Sequence, residues 1–315
     1  MAEALNWGRD GADWPLREHS RFVSAGHLRW HVQRLPPPPD RRGHRMWLLH
    51  GTGAATHTWR HLAPLLAQHH EVIAVDLPGH GFTRGAVDAD LTLPGMARAL
   101  LHLRQVLEAG RESWLDTSGS PTSRREAWIG HSAGAAVALQ VMLLDPQAAP
   151  EVISLNGALL PWGGPASGLF MPLARALATL PWSVRFFAWS AQRPGTVEAL
   201  LRDTGSTIDE RGVACYTRLA HNEVHVRDVL KMMAQWELEP FARQLPNLRG
   251  QVTLISSAED RTVPPSVSAK AARQIPHARA IALPSWGHLG HEEAPAEWAS
   301  LILQALEARG GVEPP

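Results

Sequence analysis

The chain has 315 residues, 44% of them hydrophobic, with 30 basic and 30 acidic side chains and a formal net charge of zero. That length supports a large core as one extended domain or as a domain with a lid. The balanced charge removes the long-range attraction expected of a nucleic-acid-binding protein, so no nucleic acid is expected among its partners. A single cysteine, Cys215, allows neither an internal disulfide nor a paired-cysteine metal or redox site, which agrees with a reducing, cytoplasmic setting.

The first twenty residues carry Trp7, Arg9, Asp10, Asp13 and Arg17 and lack the apolar run of a secretory signal. Arg21–Ser24 and Leu28–Arg34 read as two strands of an antiparallel hairpin around Ala25-Gly26-His27. Pro36–Pro39 with Asp40-Arg41-Arg42-Gly43 forms a stiff polar connection, because consecutive prolines neither donate to a ladder nor continue a helix. The strand Met46–Leu49 follows, ending at His50-Gly51-Thr52-Gly53. Next come a helix around Trp59–Gln68 and the strand Val72–Val75, which ends in Asp76-Leu77-Pro78-Gly79-His80-Gly81. Leu93–Leu107 is an amphipathic helix with Met96, Leu100, Leu103 and Leu107 on one stripe. Arg111–Arg125, rich in Ser, Thr, Gly, Pro and charge, reads as a long polar loop without catalytic meaning.

Trp128-Ile129 then leads into Gly130-His131-Ser132-Ala133-Gly134, the helix Ala133–Leu144 leaves it, and Val152–Leu155 is the next strand. Val152–Ala174 is free of charge and long enough to span a bilayer. Gly157, Pro161, Gly163, Gly164, Pro165, Gly168 and Pro172 interrupt it, and so many breakers defeat a spanning helix. The strand–helix alternation stops between Ala158 and about Pro240, where helical segments such as Leu169–Leu180 stand. It resumes with the strand Val252–Ser256, a helix Ser266–Gln274, the strand Arg279–Leu283 and a last helix Ala294–Ala308. The pattern predicts an α/β fold with a mostly parallel sheet and helices on both faces, its core formed by residues 1–157 and 241–315. Residues 158–240 are then an inserted helical lid over the carboxyl ends of the strands, where open α/β sheets bind ligands.

A serine hydroxyl becomes a nucleophile only when a base takes its proton and a third group holds that base in one tautomer. Gly130-His131-Ser132-Ala133-Gly134 matches GxSxG, a strand-to-helix turn that lifts a serine above the sheet. An acid and a histidine follow in chain order: Asp260 after the strand ending Ser256-Ser257, and His288 in Trp286-Gly287-His288 just past the last strand. Glu259 competes with Asp260 for the acid, and His291 with His288 for the base. Donors for a developing oxyanion are expected from the backbone N–H groups of Ala133 and Thr52, with His50 supporting the latter's loop. Four tryptophans in the lid, Trp162, Trp182, Trp189 and Trp236, suit a bulky apolar substrate, and lid packing accounts for each of them equally well. The histidines at 50, 57, 61, 69, 70, 288 and 291 offer no set suited to Mg²⁺, which prefers oxygen ligands, and neither a metal nor a cofactor is expected.

GHSAG at 130–134, HGTG at 50–53 and DLPGHGFT at 76–83 resemble the α/β-hydrolase superfamily across nearly the whole chain. WPLREHSRF at 14–22, LRWHVQR at 28–34, GTGAATHTWR at 51–60, LTLPGMARAL at 91–100 and SLNGALLPWGG at 154–164 are similar to the BchO family, magnesium-chelatase accessory proteins of bacteriochlorophyll synthesis. TGS at 204–206 and MMAQWELEP at 232–240 add to that likeness. The resemblance implies an α/β-hydrolase fold, a photosynthetic bacterium and a role near magnesium insertion into a tetrapyrrole. Two function classes follow. One is a serine hydrolase acting on an ester or related carbonyl bond of a bulky apolar substrate, with a tetrapyrrole among the candidates. The other is a non-catalytic porphyrin-binding or chelatase-assisting protein on the same frame. Chelatase subunits are candidate partners, and the apolar face of Leu169–Leu180 leaves contact with a membrane surface open. An aspartate nucleophile for epoxide or haloalkane chemistry is disfavoured by Ser132, whereas carbon–carbon bond hydrolysis and perhydrolysis use the same three residues.

Overall fold

The computed structural model describes residues 3–38, 43–86, 89–109, 125–161 and 188–307. The polar loop at 111–124, the helical segment at 169–180, Trp162 and Trp182 lie outside these residues, as does the uncharged stretch beyond residue 161. Among the described residues no helix is long and apolar enough to cross a membrane.

The amino-terminal hairpin forms from β1 (Ser20–Ala25) and β2 (Leu28–Leu35), with Ala25 facing Leu28 across a two-residue turn. Gly26 takes the left-handed backbone this tight reversal needs, at φ 62°. The remaining strands are β3 (Arg45–Leu49), β4 (Glu71–Val75), β5 (Glu126–His131), β6 (Glu151–Leu155), β7 (Gln251–Ser257) and β8 (Ala278–Leu283). They build one sheet in the order β1-β2-β4-β3-β5-β6-β7-β8. The β1–β2 and β2–β4 pairs are antiparallel and the five others parallel. This is the mostly parallel α/β sheet that the alternation in the sequence predicts.

Every residue of β4 and of β5 is buried, the mark of strands covered on both faces. Alternate side chains serve the two layers. Trp47, Leu49, Ile73 and Val75 face a core shared with α2 (Leu93–Glu108), α3 (Ala133–Leu144) and α8 (Ser266–Ala272). Met46, Leu48, Val72 and Ala74 face a second core with α1 (Leu62–Ala67) and α10 (Pro295–Glu307). A single turn of helix, α9 (Gly290–Glu293), precedes α10. Trp47 and Trp128, partners in register on β3 and β5, stack with centroids 4.9 Å apart and planes 10° from parallel.

Between β6 and β7 the described residues hold no strand, and their helices include α4 (Thr196–Asp203), α5 (Glu210–Ala220), α6 (Glu223–Gln235) and α7 (Leu238–Ala242). Asp209 and Asn222 cap α5 and α6 by accepting from the N–H groups of Gly212 and His225. The amino-terminal arm packs on the body rather than trailing from it. Trp14 is buried, and its indole N–H donates to Thr56 Oγ1 at 3.1 Å.

Candidate active site

The sheet order reverses direction at β3, which lies between β4 and β5 although it precedes both in the chain. Crevices form at the carboxyl ends of strands flanking such a switch. Here the ends are Leu49, running into His50-Gly51-Thr52-Gly53, and His131, running into Ser132.

Ser132 has φ 52° and ψ −118°, a strained backbone for a residue with a β-carbon. The turn is over-determined by its surroundings. Ser132 donates its N–H to the Leu155 carbonyl at 3.0 Å, and its own carbonyl accepts from Ala135 and Ala158. Glycine is needed on either side because the helix closes onto the sheet. A β-carbon on Gly130 would collide with Ala135, and one on Gly134 with the carbonyls of Leu49 and His50. The alanine-rich start of α3 is buried from Ala133 to Met142 for the same reason.

His50 holds the facing loop. It accepts from the N–H of Leu77 at Nε2 (2.9 Å), so the ring proton sits on Nδ1 and is donated to the Gly51 carbonyl at 2.8 Å. Gly51 lies directly beside the serine, since a β-carbon there would come within 3.0 Å of Ser132 Cβ. Thr52 and Ala133, the two expected oxyanion donors, both line the cavity that Ser132 faces.

Asp260 and His288 come from the loops after β7 and β8. The Asp260 carboxylate uses both oxygens: Oδ1 accepts from the N–H groups of Thr262 and Val263 at 2.8 Å each, and Oδ2 accepts from His288 Nδ1 at 2.8 Å. With Nδ1 carrying the proton, Nε2 of His288 is left with a lone pair. Both side chains are buried, and His288 lines the same cavity as Ser132. Glu259 is exposed, whereas Asp260 is buried. His291 is fully buried and bonded to Thr58 Oγ1 at 2.8 Å. Of the alternatives open in the sequence, Asp260 and His288 are the pair that meets.

The cavity measures about 880 Å³. Its described walls are mostly apolar, and many of them, Leu201, Val229, Met232 and Trp236 included, come from the segment between β6 and β7. Trp236 is partly buried and part of this wall. Trp189 is not: it is 52% exposed, absent from the described lining, and covered on one face by the Arg193 guanidinium at 4.5 Å.

Three polar residues near the site were not singled out by sequence reasoning. His131, the variable residue inside GHSAG, donates from Nε2 to the His288 carbonyl at 2.9 Å. Asn156, immediately past β6, donates to the carbonyls of Gly287 and His288. His225 of α6 lines the cavity, accepts the Gly81 N–H at 3.2 Å, and is pushed down to about 4 by burial, so it is neutral. The available signal was position: Asn156 follows a parallel strand end, as Ser132 and the Asp260 loop do. Among the described residues no cluster of three or more His, Cys, Asp or Glu is arranged to hold a metal ion.

A strained serine at a strand-to-helix turn, an Asp–His pair from two later strand ends and a glycine loop opposite them form one constellation. It agrees with a family model that spans residues 48–301 and describes the alpha/beta hydrolase family. The chain belongs to the alpha/beta hydrolase family. Within it, the chain is 40% identical to the magnesium-chelatase 30 kDa subunit of Rhodobacter capsulatus, over 94% of this chain and 97% of that protein. The narrower resemblance seen in the sequence is thereby shown. It is 26% identical to a pimeloyl-[acyl-carrier protein] methyl ester esterase of Xanthomonas campestris pv. campestris, covering 84% of this chain and 96% of the esterase. The enol-lactonase of Burkholderia xenovorans has the same fold, with a TM-score of 0.68 at 16% identity over 91% of this chain and all of that one.

Proposed function

We propose that this alpha/beta hydrolase cleaves an ester or related carbonyl bond of a bulky apolar substrate, with Ser132 as nucleophile, His288 as base and Asp260 as the residue that orients the base. One observation carries the reading: the buried Asp260–His288 hydrogen bond, which leaves Nε2 free to take a proton, opens on the cavity that holds the strained Ser132. In the reaction Ser132 Oγ attacks the substrate carbonyl carbon as His288 Nε2 accepts its proton. The carbonyl oxygen becomes an oxyanion facing the N–H groups of Ala133 and Thr52. Collapse expels the alcohol, which takes the proton from His288, and leaves an acyl group on Ser132. Water, deprotonated by the same imidazole, releases the acid and restores the serine.

The insert at 158–240 acts as the lid of this site over a core of residues 1–157 and 241–315, and Trp236 contributes an apolar contact. Trp162 and Trp182 belong to the same proposal as further substrate contacts. The likeness to a magnesium-chelatase 30 kDa subunit supports a place beside the chelatase step of bacteriochlorophyll synthesis in a photosynthetic bacterium's cytoplasm, with a tetrapyrrole ester as the substrate class and chelatase subunits as partners. The same likeness favours a second reading, in which the protein binds a porphyrin or assists the chelatase without catalysis.

Labelling by a fluorophosphonate, with wild type beside Ser132→Ala and His288→Ala, separates the two. Strong labelling of wild type alone supports the hydrolase and justifies assays on tetrapyrrole esters. A folded wild type that fails to label rejects an activated serine and leaves the assisting role.

A further inference from the structure

We infer that the turn Thr204–Thr207 of the helical insert, through Ser206, positions the base His288 and the acid Asp260; this rests on the reading of these two as the base and its orienting acid. The turn joins α4 to α5 and touches both loops on either side of the pair. The Thr204 carbonyl accepts from the N–H of Arg261 and from the N–H of His288 itself, at 3.2 Å each. Ser206, 2% exposed, accepts the N–H of Leu289 on its hydroxyl at 2.8 Å. Residues 259 and 287 complete the bracket through backbone packing. A β-carbon on Gly205 would run into the Glu259 carbonyl, and one on Gly287 into the Gly205 backbone, so the turn and both loops meet with no side chain between them. Gly205 takes φ 86° to make this approach.

Glu293 ties the same pieces from the other side. One carboxylate oxygen accepts from the N–H of Thr207 in the insert and the other from the N–H of Gly287, at 2.8 Å each. The base loop is therefore held between the insert and α9 by hydrogen bonds to residues 287, 288 and 289 in succession. A hydrolase lid that only covered its site would need none of these. Here a shift of the insert carries the base and the acid loop with it, so substrate contacts on α4 and α6 reach the proton-transfer geometry through covalent and hydrogen-bonded backbone. Displacements of about 1 Å suffice to slow such chemistry markedly.

The test uses the full chain labelled with ¹⁵N-histidine, comparing wild type, Ser206→Ala and Glu293→Gln, with His288→Ala to assign the His288 signals. Fluorophosphonate labelling is followed against pH on the same samples. Ser206→Ala is expected to broaden or shift the proton resonance that His288 Nδ1 shares with Asp260. It should also slow labelling on the order of ten-fold with a displaced midpoint pH, at unchanged circular dichroism. Glu293→Gln, at a half-buried site that tolerates substitution, should move the same signals in the same sense and decides the matter if Ser206→Ala does not fold. Unaltered His288 resonances and an unaltered labelling profile in a folded variant would overturn the inference. Failure of wild type to label would reject the hydrolase reading alone, since the resonances still report whether the turn positions the imidazole.

Discussion

The side-chain amide of Asn156 donates to the main-chain carbonyl of His288 at 2.9 Å, while its Oδ1 accepts the N–H of Ser257 at 2.8 Å. One buried side chain just past β6 thus links the end of β7 to the loop after β8, and its backbone adopts φ 47° to do so. Asn156→Leu would leave the Ser257 N–H without a partner in the interior. The expected outcome is a loss of about 1–3 kcal/mol in unfolding free energy, measured by denaturant titration, with slower fluorophosphonate labelling in the folded fraction. Unchanged stability and labelling would show that the two loops hold themselves.

Asp260→Asn keeps the shape of the acid but alters its hydrogen-bonding logic. An amide nitrogen facing the ring favours the imidazole tautomer with its proton on Nε2, the atom needed as acceptor. If His288 is the base, turnover of an activated ester or the labelling rate falls about 10³- to 10⁴-fold with the fold retained. Labelling within about two-fold of wild type would remove Asp260 from the proposed role.

The glycines of the site divide by cause. Gly134→Ala places a methyl against the backbone carbonyls of Leu49, the last residue of β3, and of His50 just beyond it, which cannot step aside as a flexible side chain would. Gly53, at φ 75°, has nothing within 4 Å of the place where a methyl would sit, so Gly53→Ala meets only backbone strain. Thermal unfolding is expected to show a cost of about 1–3 kcal/mol or more for the first and about 1 kcal/mol for the second. Equal effects would mean that conformational strain rather than packing sets both.

Acid should destabilise this protein before its exposed carboxylates protonate. Burial pushes His225 down to about 4 and His291 to about 3, and it lowers His50, His57, His80 and His131 as well. Unfolded, each would take up a proton near its ordinary value of about 6.5. The unfolded chain therefore binds more protons between about 6.5 and the folded values, so stability is complete above that window and is lost as pH falls through it. Each such imidazole contributes up to about 1.4 kcal/mol per pH unit. Denaturant midpoints at pH 7.5 and 5.5 should differ clearly, with the lower at pH 5.5. Identical midpoints would mean that these rings are not held neutral.

Much of this protein was determined by local pattern. Apolar runs located the parallel strands to within a residue or two, as where Met46–Leu49 was expected and Arg45–Leu49 forms, and where Val152–Leu155 was expected and Glu151–Leu155 forms, because a parallel strand covered on both faces is apolar along most of its length. The helix Ala133–Leu144 has the bounds expected of it, since the serine turn fixes its start and Asp145 its end. Ser132 was legible because its turn demands small residues at fixed spacing.

What sequence left open was anything decided by meeting across the fold. Glu259 and Asp260 are adjacent and chemically alike; only the closure of the β7 and β8 loops turns Asp260 inward and Glu259 to solvent. Asn156, Ser206 and Glu293 carry no local signature, because their partners lie up to 132 residues away and are backbone groups that any residue supplies. Trp189 and Trp236 look equivalent on paper, and the packing of the insert alone sends one to an arginine at the surface and the other to the cavity wall. Strand and helix follow from periodicity within the chain, whereas a site assembled from the ends of separate strands exists only once the sheet has put them side by side.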